Sequence, residues 1–555
     1  MIRKKMKTIF LFLLALGMLV SIKEFVEEPL QVQAAGRTVA IQSCMIAGEQ
    51  VVCELKASSV PSSEDGLYYI FANEVNQDGA TGNMVATVQA GKEVTVAFPL
   101  AYNTPASNLS RKFLVAVKQG GQMVQVSDEH YITNPEAMAG FTTNPIPAGI
   151  KGILPSADFT NGELQELGIQ QIVHNMPLEH IVSAQGAPGA VLFSYNGQNY
   201  YFDSAKLKAY DGTIKYFNSQ GMKVTMILLN GGGSEYTKHL IHPQAVGGEC
   251  PGYALNVADE VAVNHLKAIA AFLGQRYSGA LGYGQVDNWI LGNEVNARTS
   301  WWYTNSDSLD FNVGIYAKAF RIFYNELKGM NANVMLYNSI DQEWNRKSNP
   351  GSFLAKDYLD KFNYYMLREG NIDWGLSFHP YNSPLYDPYA WNGPSVWVKN
   401  SITTPYITMQ NLDILIDYMH RSEFLRPNGD VRSISLAEIG FTSSFGNEAQ
   451  EASVAYGYLK ARSLPDIDAF MLFRMVDDAH EMQSYLAMGL KDLNGNRKPA
   501  FEIYKNLGTG NEAVAKARAS AIIGMDIDEM VNNKVIWTRA DSGVVEMPAQ
   551  VETVE

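Results

Sequence analysis

The sequence predicts an α/β protein, a closed (β/α)8 barrel preceded by a small all-β sandwich. Three observations predict it. From about Phe141 to Gly508, eight short β-rich segments alternate with longer helical stretches. The interiors of those segments are apolar and their C-terminal ends are polar. Ahead of them, from about Arg37 to Ala137, short strands are punctuated by Gly, Asn, Asp and Pro roughly every ten residues.

Residues 1–34 read as a secretory signal. Arg3, Lys4, Lys5 and Lys7 precede an apolar run of 14 residues, Ile9 to Ile22, and Val32-Gln33-Ala34 offers small residues for cleavage. A spanning helix needs about 18–20 apolar residues, so the run is short for an anchor. The expected location is outside the cell or in its envelope.

Residues 36–138 form the expected sandwich, with strands such as Gln50-Val-Val-Cys-Glu-Leu, Leu67-Tyr-Tyr-Ile-Phe-Ala and Phe113-Leu-Val-Ala-Val. No row of Trp marks a sugar-binding face there, which favours a structural role. Cys44 and Cys53 are symmetric about Gly48-Glu49 and would face each other across a hairpin. They are either a disulfide in an exported chain or two small strand residues. Cys250 is left without a role.

Residues 139–508 form the expected barrel. Its strands read as Lys151–Pro155, Gln171–Asn175, Lys223–Asn230, Asn288–Asn293, Asn333–Asn338, Asp373–His379, Ser433–Glu438 and Ala469–Arg474. Val261–Tyr277 and Val313–Leu327 carry apolar residues at helical spacing. Apolar strands alternating with helices indicate a parallel sheet covered on both faces. A doubly wound open sheet is the alternative, weakened because no G-x-G-x-x-G follows the first strand. In residues 509–555, Lys534-Val-Ile-Trp-Thr-Arg reads as one more strand that returns to the β-domain.

Composition narrows the function. The 555 residues are 46% hydrophobic and 18% charged, an ordinary globular balance, with a net charge of −14. Residues 1–34 hold five basic and three acidic side chains, so the remainder is near −16. Such a surface repels phosphate backbones and argues against nucleic acid as a partner. Three cysteines exclude a disulfide scaffold.

A barrel builds its site at the C-terminal strand ends. The polar residues there are His174 and Asn175, Asn230, Asn293 and Glu294, Asn338, His379 and Tyr381, Glu438, and Arg474. Glu294 and Glu438 are 144 residues apart and end strands four and seven. Two carboxylates facing each other across a pocket are the machinery of glycosidic bond hydrolysis. The bland reading is helix capping or a buried ion pair. Asp341, Glu343 and Asp477 compete as carboxylates after strands five and eight.

The Asn-Glu pair after strand four, in Gly292-Asn293-Glu294, with Ala437-Glu438-Ile439-Gly440-Phe441 after strand seven, resembles clan A glycoside hydrolases, which are (β/α)8 retaining enzymes. The resemblance spans about two-thirds of the chain and points to no single family in the clan. It implies that Glu294 is acid/base, Glu438 the nucleophile, and Asn293 a ligand of the sugar 2-hydroxyl. The acid must then keep its proton at working pH, whereas Glu438 must stay ionised and needs donors, for which Tyr381, His379 and Arg474 are candidates. Many clan members place a Trp after strand eight, where this chain has Phe473-Arg474-Met475. Arg474 then pairs with Glu438, binds an anionic sugar, or anchors Asp477 or Asp478.

Trp301, Trp302 and Trp391, in loops after strands four and six, are the candidate sugar platforms; loop-core packing is the alternative for each, and at least one is expected to touch sugar. The loop from Gly231 to Gly252 could close one end of the cleft. The expected substrate is a poly- or oligosaccharide, and no cofactor is implied. His239 and His242 lack further ligands at metal spacing, so no metal is implied either. No G-x-S-x-G suggests an esterase. A transglycosylase using the same residues and a non-catalytic glycan binder are the rival readings. Sugar identity, linkage and oligomeric state are not written in the sequence.

Overall fold

The computed structural model describes residues 37–142 and 145–532. The expected signal and the expected strand from Lys534 lie outside the described residues.

Eight parallel strands close into a barrel. In chain order they are Lys151–Ile153, Gln171–Pro177, Lys223–Leu229, Asn288–Leu291, Met335–Asp341, Gly375–His379, Ile434–Ile439 and Ile467–Leu472. Each pairs with its sequence neighbours, and the last pairs with the first. The open-sheet alternative is thereby excluded. Strand five is the main correction to the expected boundaries. It begins at Met335 and runs three residues past Asn338, to Asp341.

The pleat sorts side chains into two layers. Val173, Ile227, Ile290, Tyr337, Ala437, Ala469 and Met471 fill the barrel interior. The alternate residues, such as Ile172, Leu336, Ile340 and Leu376, join the larger core between barrel and helices. The long helices follow their strands: Ser204–Ser219, Glu260–Arg276, Leu309–Met330, Ala355–Arg368 and Asn447–Arg462. The first three start where Asp203, Asp259 and Ser308 side chains accept a backbone N–H two or three residues into the first turn. Two further helices, Glu512–Ile523 and Ile527–Asn532, follow the last barrel helix. Arg518 ties the first of them to Glu448 and Glu451 of helix Asn447–Arg462.

The N-terminal region holds two antiparallel sheets. One is Val39–Ala47, Gln50–Ala57 and Glu93–Pro99; the other is built on Leu67–Asn73 and Lys112–Gln119. Their inward residues, among them Val51, Cys53, Phe98, Tyr68, Phe113 and Val115, form one core, as a sandwich requires. Cys44 and Cys53 are cross-strand partners, free thiols with sulfurs 3.3 Å apart.

The sandwich rests on the middle of helix Glu260–Arg276 and on the C-terminal halves of helices Leu309–Met330 and Ala355–Arg368. Lys267 bonds Glu74, Asn325 donates to the Leu109 carbonyl (2.8 Å), and Arg368 bonds Asp128 (2.8 Å). A helix returns antiparallel to its strand, so these contacts lie at the end of the barrel opposite the C-terminal strand ends. At their centre, Glu326 is buried and accepts bonds from Ser110 (2.7 Å) and Tyr195. Burial raises its carboxyl to about 7. The folded protein therefore holds this proton more tightly than the unfolded chain, whose glutamates titrate near about 4.3. That stabilising contribution is complete below the unfolded value and is lost as pH rises through 7. The melting temperature should fall between about pH 5 and pH 8, and fall less steeply in Glu326→Gln. Parallel profiles in a calorimeter would show that Glu326 carries none of the effect.

Candidate active site

The site begins with the turn that ends strand four. Gly292 has φ +77°, and a Cβ there would meet Val295 at 2.9 Å and the Trp302 ring at 3.1 Å, so only glycine fits. Glu294 itself has φ +39°, an uncommon conformation for a residue with a side chain. Strand five holds it there. The Glu294 N–H donates to the Ser339 hydroxyl (3.1 Å) and the Val295 N–H to the Ser339 carbonyl (2.9 Å).

The Glu294 carboxylate meets His379 of strand six, Oε1 to Nδ1, at 2.9 Å. His379 is fully buried, and burial lowers its pKa, so the imidazole is neutral at pH 7. Burial raises the Glu294 carboxyl to about 7; the nearby Glu343 adds to the rise and a hydrogen bond from the Trp301 indole opposes it. Glu438 accepts the Tyr381 hydroxyl at 2.8 Å. Burial raises its pKa too, while the Tyr381 bond pulls it down and Glu294 pushes it up. Their partners His379 and Tyr381 stand two residues apart at the end of strand six, which brings both glutamates to that strand end.

Glu438 reaches the pocket through an irregularity. Ala437 already faces the barrel interior, so strict alternation would send Glu438 outward. The pairing of strands seven and eight slips between Leu436 and Ile439, and that break lets consecutive residues face inward.

The other expected residues divide by layer. Asn175 is exposed and stands two residues beyond Val173, on the interior side of strand two. His174 falls on the helix side, its ring 6.2 Å from that of Tyr210. Asn338 pairs with Leu376 and sits between Tyr337 and Ser339, so it too faces the helices. It is buried, with neither amide atom hydrogen-bonded. Asn230 donates to the Leu240 and Tyr253 carbonyls and anchors the loop after strand three. Asn293 is buried beside Glu294 with its Oδ1 unpartnered. Arg474 pairs with Glu481 (3.1 Å) and Asp478 (3.5 Å), the anchoring role among its three readings, whereas Asp477 pairs with Lys498. Of the donors expected for Glu438, Tyr381 bonds it and His379 bonds Glu294. Trp391 is buried edge-on against Tyr389 (5.4 Å), in a loop pinned by the Ala390 N–H to Ser453.

Sequence reasoning missed Ser339 and Asn296, and named Asp341 and Glu343 only as competitors. Asn296 donates to Asp341 (2.8 Å) and accepts the Asp341 N–H (3.1 Å), so strand five grips the Glu294 loop twice. The signal was one step away: extending strand five to Asp341 puts Ser339 and Asp341 on the Tyr337 face. Among the described residues, no group of three or more His, Cys, Asp and Glu side chains is arranged to hold a metal ion. His239 pairs with His265 (2.8 Å).

The chain belongs to a family whose model is described as "Family of unknown function (DUF5722)" and matches residues 143–530. No curated protein matches the sequence. Among solved structures, it is similar to a family 39 glycoside hydrolase from the gut symbiont Bacteroides cellulosilyticus WH2. The identity is 15% and the TM-score 0.41, over 81% of this chain and 79% of that one. A glucosidase from Croceicoccus marinus is 14% identical with a TM-score of 0.41, over 65% and 68% of the two chains. The β-glucuronidase 2 of Bacteroides uniformis is 10% identical with a TM-score of 0.37 over 86% of this chain, which spans only 50% of that protein.

The two neighbouring tryptophans of the loop should separate in stability measurements. Trp302 is 2% exposed and packs edge-on against Tyr316 (5.0 Å), so Trp302→Ala should cost about 3–5 kcal/mol. Trp301 is half-buried, and Trp301→Ala should cost well under half of that. Equal losses in denaturant unfolding would contradict this placement.

Proposed function

We propose that the protein is a glycoside hydrolase that cleaves a poly- or oligosaccharide with retention of configuration. The observation that carries this reading is the unlike environment of two half-buried glutamates at the ends of strands four and seven. Glu294 lies against a neutral imidazole with its carboxyl raised to about 7, suited to a group that must give up a proton near neutrality. Glu438 has a phenol donating to it, suited to a carboxylate that must carry charge.

The steps follow from those roles. Glu438 attacks the anomeric carbon as Glu294 protonates the departing oxygen. The glycosyl group is then esterified to Glu438. Glu294, now ionised, takes a proton from water, whose oxygen attacks the same carbon and frees Glu438. Asn293, with an unpartnered amide oxygen beside Glu294, suits a sugar hydroxyl. The apolar leader read in residues 1–34 fits a polysaccharide-degrading enzyme that works outside the cell.

A hydrolysis screen of the protein on a broad glycan panel, with Glu438→Gln as control, tests the reading. Wild type alone should release product, and the first-formed anomer should match the substrate. Glycan binding without turnover would leave a binding protein in its place. Turnover that needs a sugar acceptor would make it a transglycosylase.

Glu294→Gln should lower kcat/KM by about 10²–10⁴-fold. Azide should restore product formation to Glu438→Gly with inverted configuration. Tyr381→Phe removes a hydrogen bond to a charge worth about 1.5–3 kcal/mol, or roughly ten- to a hundredfold in rate. Because the acid works protonated, activity should fall as pH rises through about 7. Wild-type turnover by Glu438→Gln would sink the assignment.

A further inference from the structure

The loops around the candidate site carry an aromatic surface that the two-glutamate mechanism does not use. Two of the three candidate sugar platforms are buried, Trp302 at 2% exposure and Trp391 at 7%. A different set of rings reaches solvent. Tyr386, Phe445 and Tyr485 are each half-buried, and they come from three separate loops, after strands six, seven and eight. Phe445 stands in the middle, its ring centroid 6.3 Å from that of Tyr386 and 5.9 Å from that of Tyr485. The interplanar angles are 38° and 34°, so the rings do not close face to face on one another. Leu385 and Met482, on the same loops as the outer two rings, are 42% and 39% exposed. Contiguous apolar surface left facing water on a folded protein is where ligands or partners bind.

Each ring is fastened to the part of its loop that meets the site. After strand six, the Asn382 side chain donates to the Asp387 carbonyl (2.7 Å) and the Asp387 N–H to the Pro384 carbonyl (2.9 Å), which closes the turn that presents Tyr386. Asn382 directly follows Tyr381, whose hydroxyl bonds Glu438. After strand seven, Phe445 sits in the loop that Glu438 opens, on a turn closed by the Gly446 N–H to the Ser443 carbonyl (3.0 Å). A Cβ on Gly446 would meet nothing within 4 Å, so the tip of that turn stands in open space. After strand eight, the Tyr485 carbonyl accepts the Thr442 hydroxyl (2.6 Å), and the Ala487 carbonyl accepts the Ser443 N–H (2.9 Å). The loop of Tyr485 is thereby tied to the loop of Glu438.

We propose that Tyr386, Phe445 and Tyr485 form a binding strip for successive sugar rings of a glycan chain, on the loops that frame Glu438. On the glycosidase reading, on which this rests, the substrate is then an extended chain and not a lone terminal sugar. A pyranose presents C–H groups on its faces and hydroxyls at its edge. Open, tilted aromatic rings take the faces, and the tyrosine hydroxyls add polar handles. Ser444 and Ser484, each next to one of the rings in the chain, are exposed and uncharged, as hydroxyl partners would be. One ring serves one sugar, whereas three in line serve several. A second protein seated on the strip would cover the approach to Glu438, while a glycan chain held there is delivered to it.

The test pairs a binding readout that needs no turnover with a kinetic one. The full chain carrying Glu438→Gln would be run on native gels containing soluble glucan, xylan, galactan or galacturonan, with and without Phe445→Ala. At least one polysaccharide should retard the protein, and Phe445→Ala should weaken that binding about five- to tenfold. Phe445→Tyr keeps a ring and should retain most of the binding, and Tyr386→Ala serves if Phe445→Ala fails to fold. In the active chain, the loss of kcat/KM in Phe445→Ala should fall mainly on KM and grow with the length of the oligosaccharide cleaved. An equal loss at every length, or polysaccharide binding that the variants leave unaltered, would overturn the strip even if the protein proves to be a glycosidase. Weakened binding in a protein that hydrolyses no glycan would uphold the strip and remove the glycosidase reading instead. A protein that neither binds nor cleaves any glycan of the panel overturns both. A dimer that Phe445→Ala turns into a monomer in sedimentation would assign the strip to a second copy of the chain and overturn the proposal as well.

Discussion

Closure of eight parallel strands is the constraint on which everything else in this molecule depends. A parallel strand buried on both faces must be apolar along its length, so polar side chains are confined to its ends. Closure then gathers all eight C-terminal ends into one ring. Residues far apart in sequence become neighbours through the ring: Glu294 meets His379 from two strands away, and Tyr381 meets Glu438 from the next strand. The sandwich and the additional C-terminal helices attach to the helical layer and leave the ring of strand ends to the loops.

Within that ring, electrostatics is set by desolvation more than by pairing. The only cationic side chain among the expected site residues, Arg474, is already matched by Asp478 and Glu481. Burial is the largest influence on both Glu294 and Glu438 and raises both carboxyls. A neutral imidazole is a consistent companion, since it accepts or donates a hydrogen bond without lending a charge.

Much of this was legible in the sequence, because apolar runs that alternate with helices leave few topologies open. All eight strands were placed from apolar segments, and the two glutamates from their positions at strand ends. What was not legible depends on which way a residue points. Strand five was read as ending at Asn338, which faces the helices, while the functional face continues through Ser339 to Asp341. His174 was set beside Asn175 as an equal, although period-two alternation separates adjacent residues onto opposite layers. Glu438 shows the converse, since its inward aim follows from a slip in strand pairing that no propensity announces. Arg474 followed the last strand, and its partners Asp478 and Glu481 come from the same segment a few residues on.

The contact around Glu326 has a meaning for how such a molecule is inherited. Its carboxyl is sealed by Ser110 from the sandwich and by Tyr195 from the hairpin that follows strand two, and that hairpin reaches the sandwich again where the Asn196 N–H meets Asn103 (2.9 Å). Neither module can be exchanged for a foreign one without stranding a buried acid and opening an apolar seam. Sandwich and barrel are two folds but one unit of recombination. A gene fusion that borrowed only the barrel would leave Glu326 without Ser110 and Asn325 without the Leu109 carbonyl.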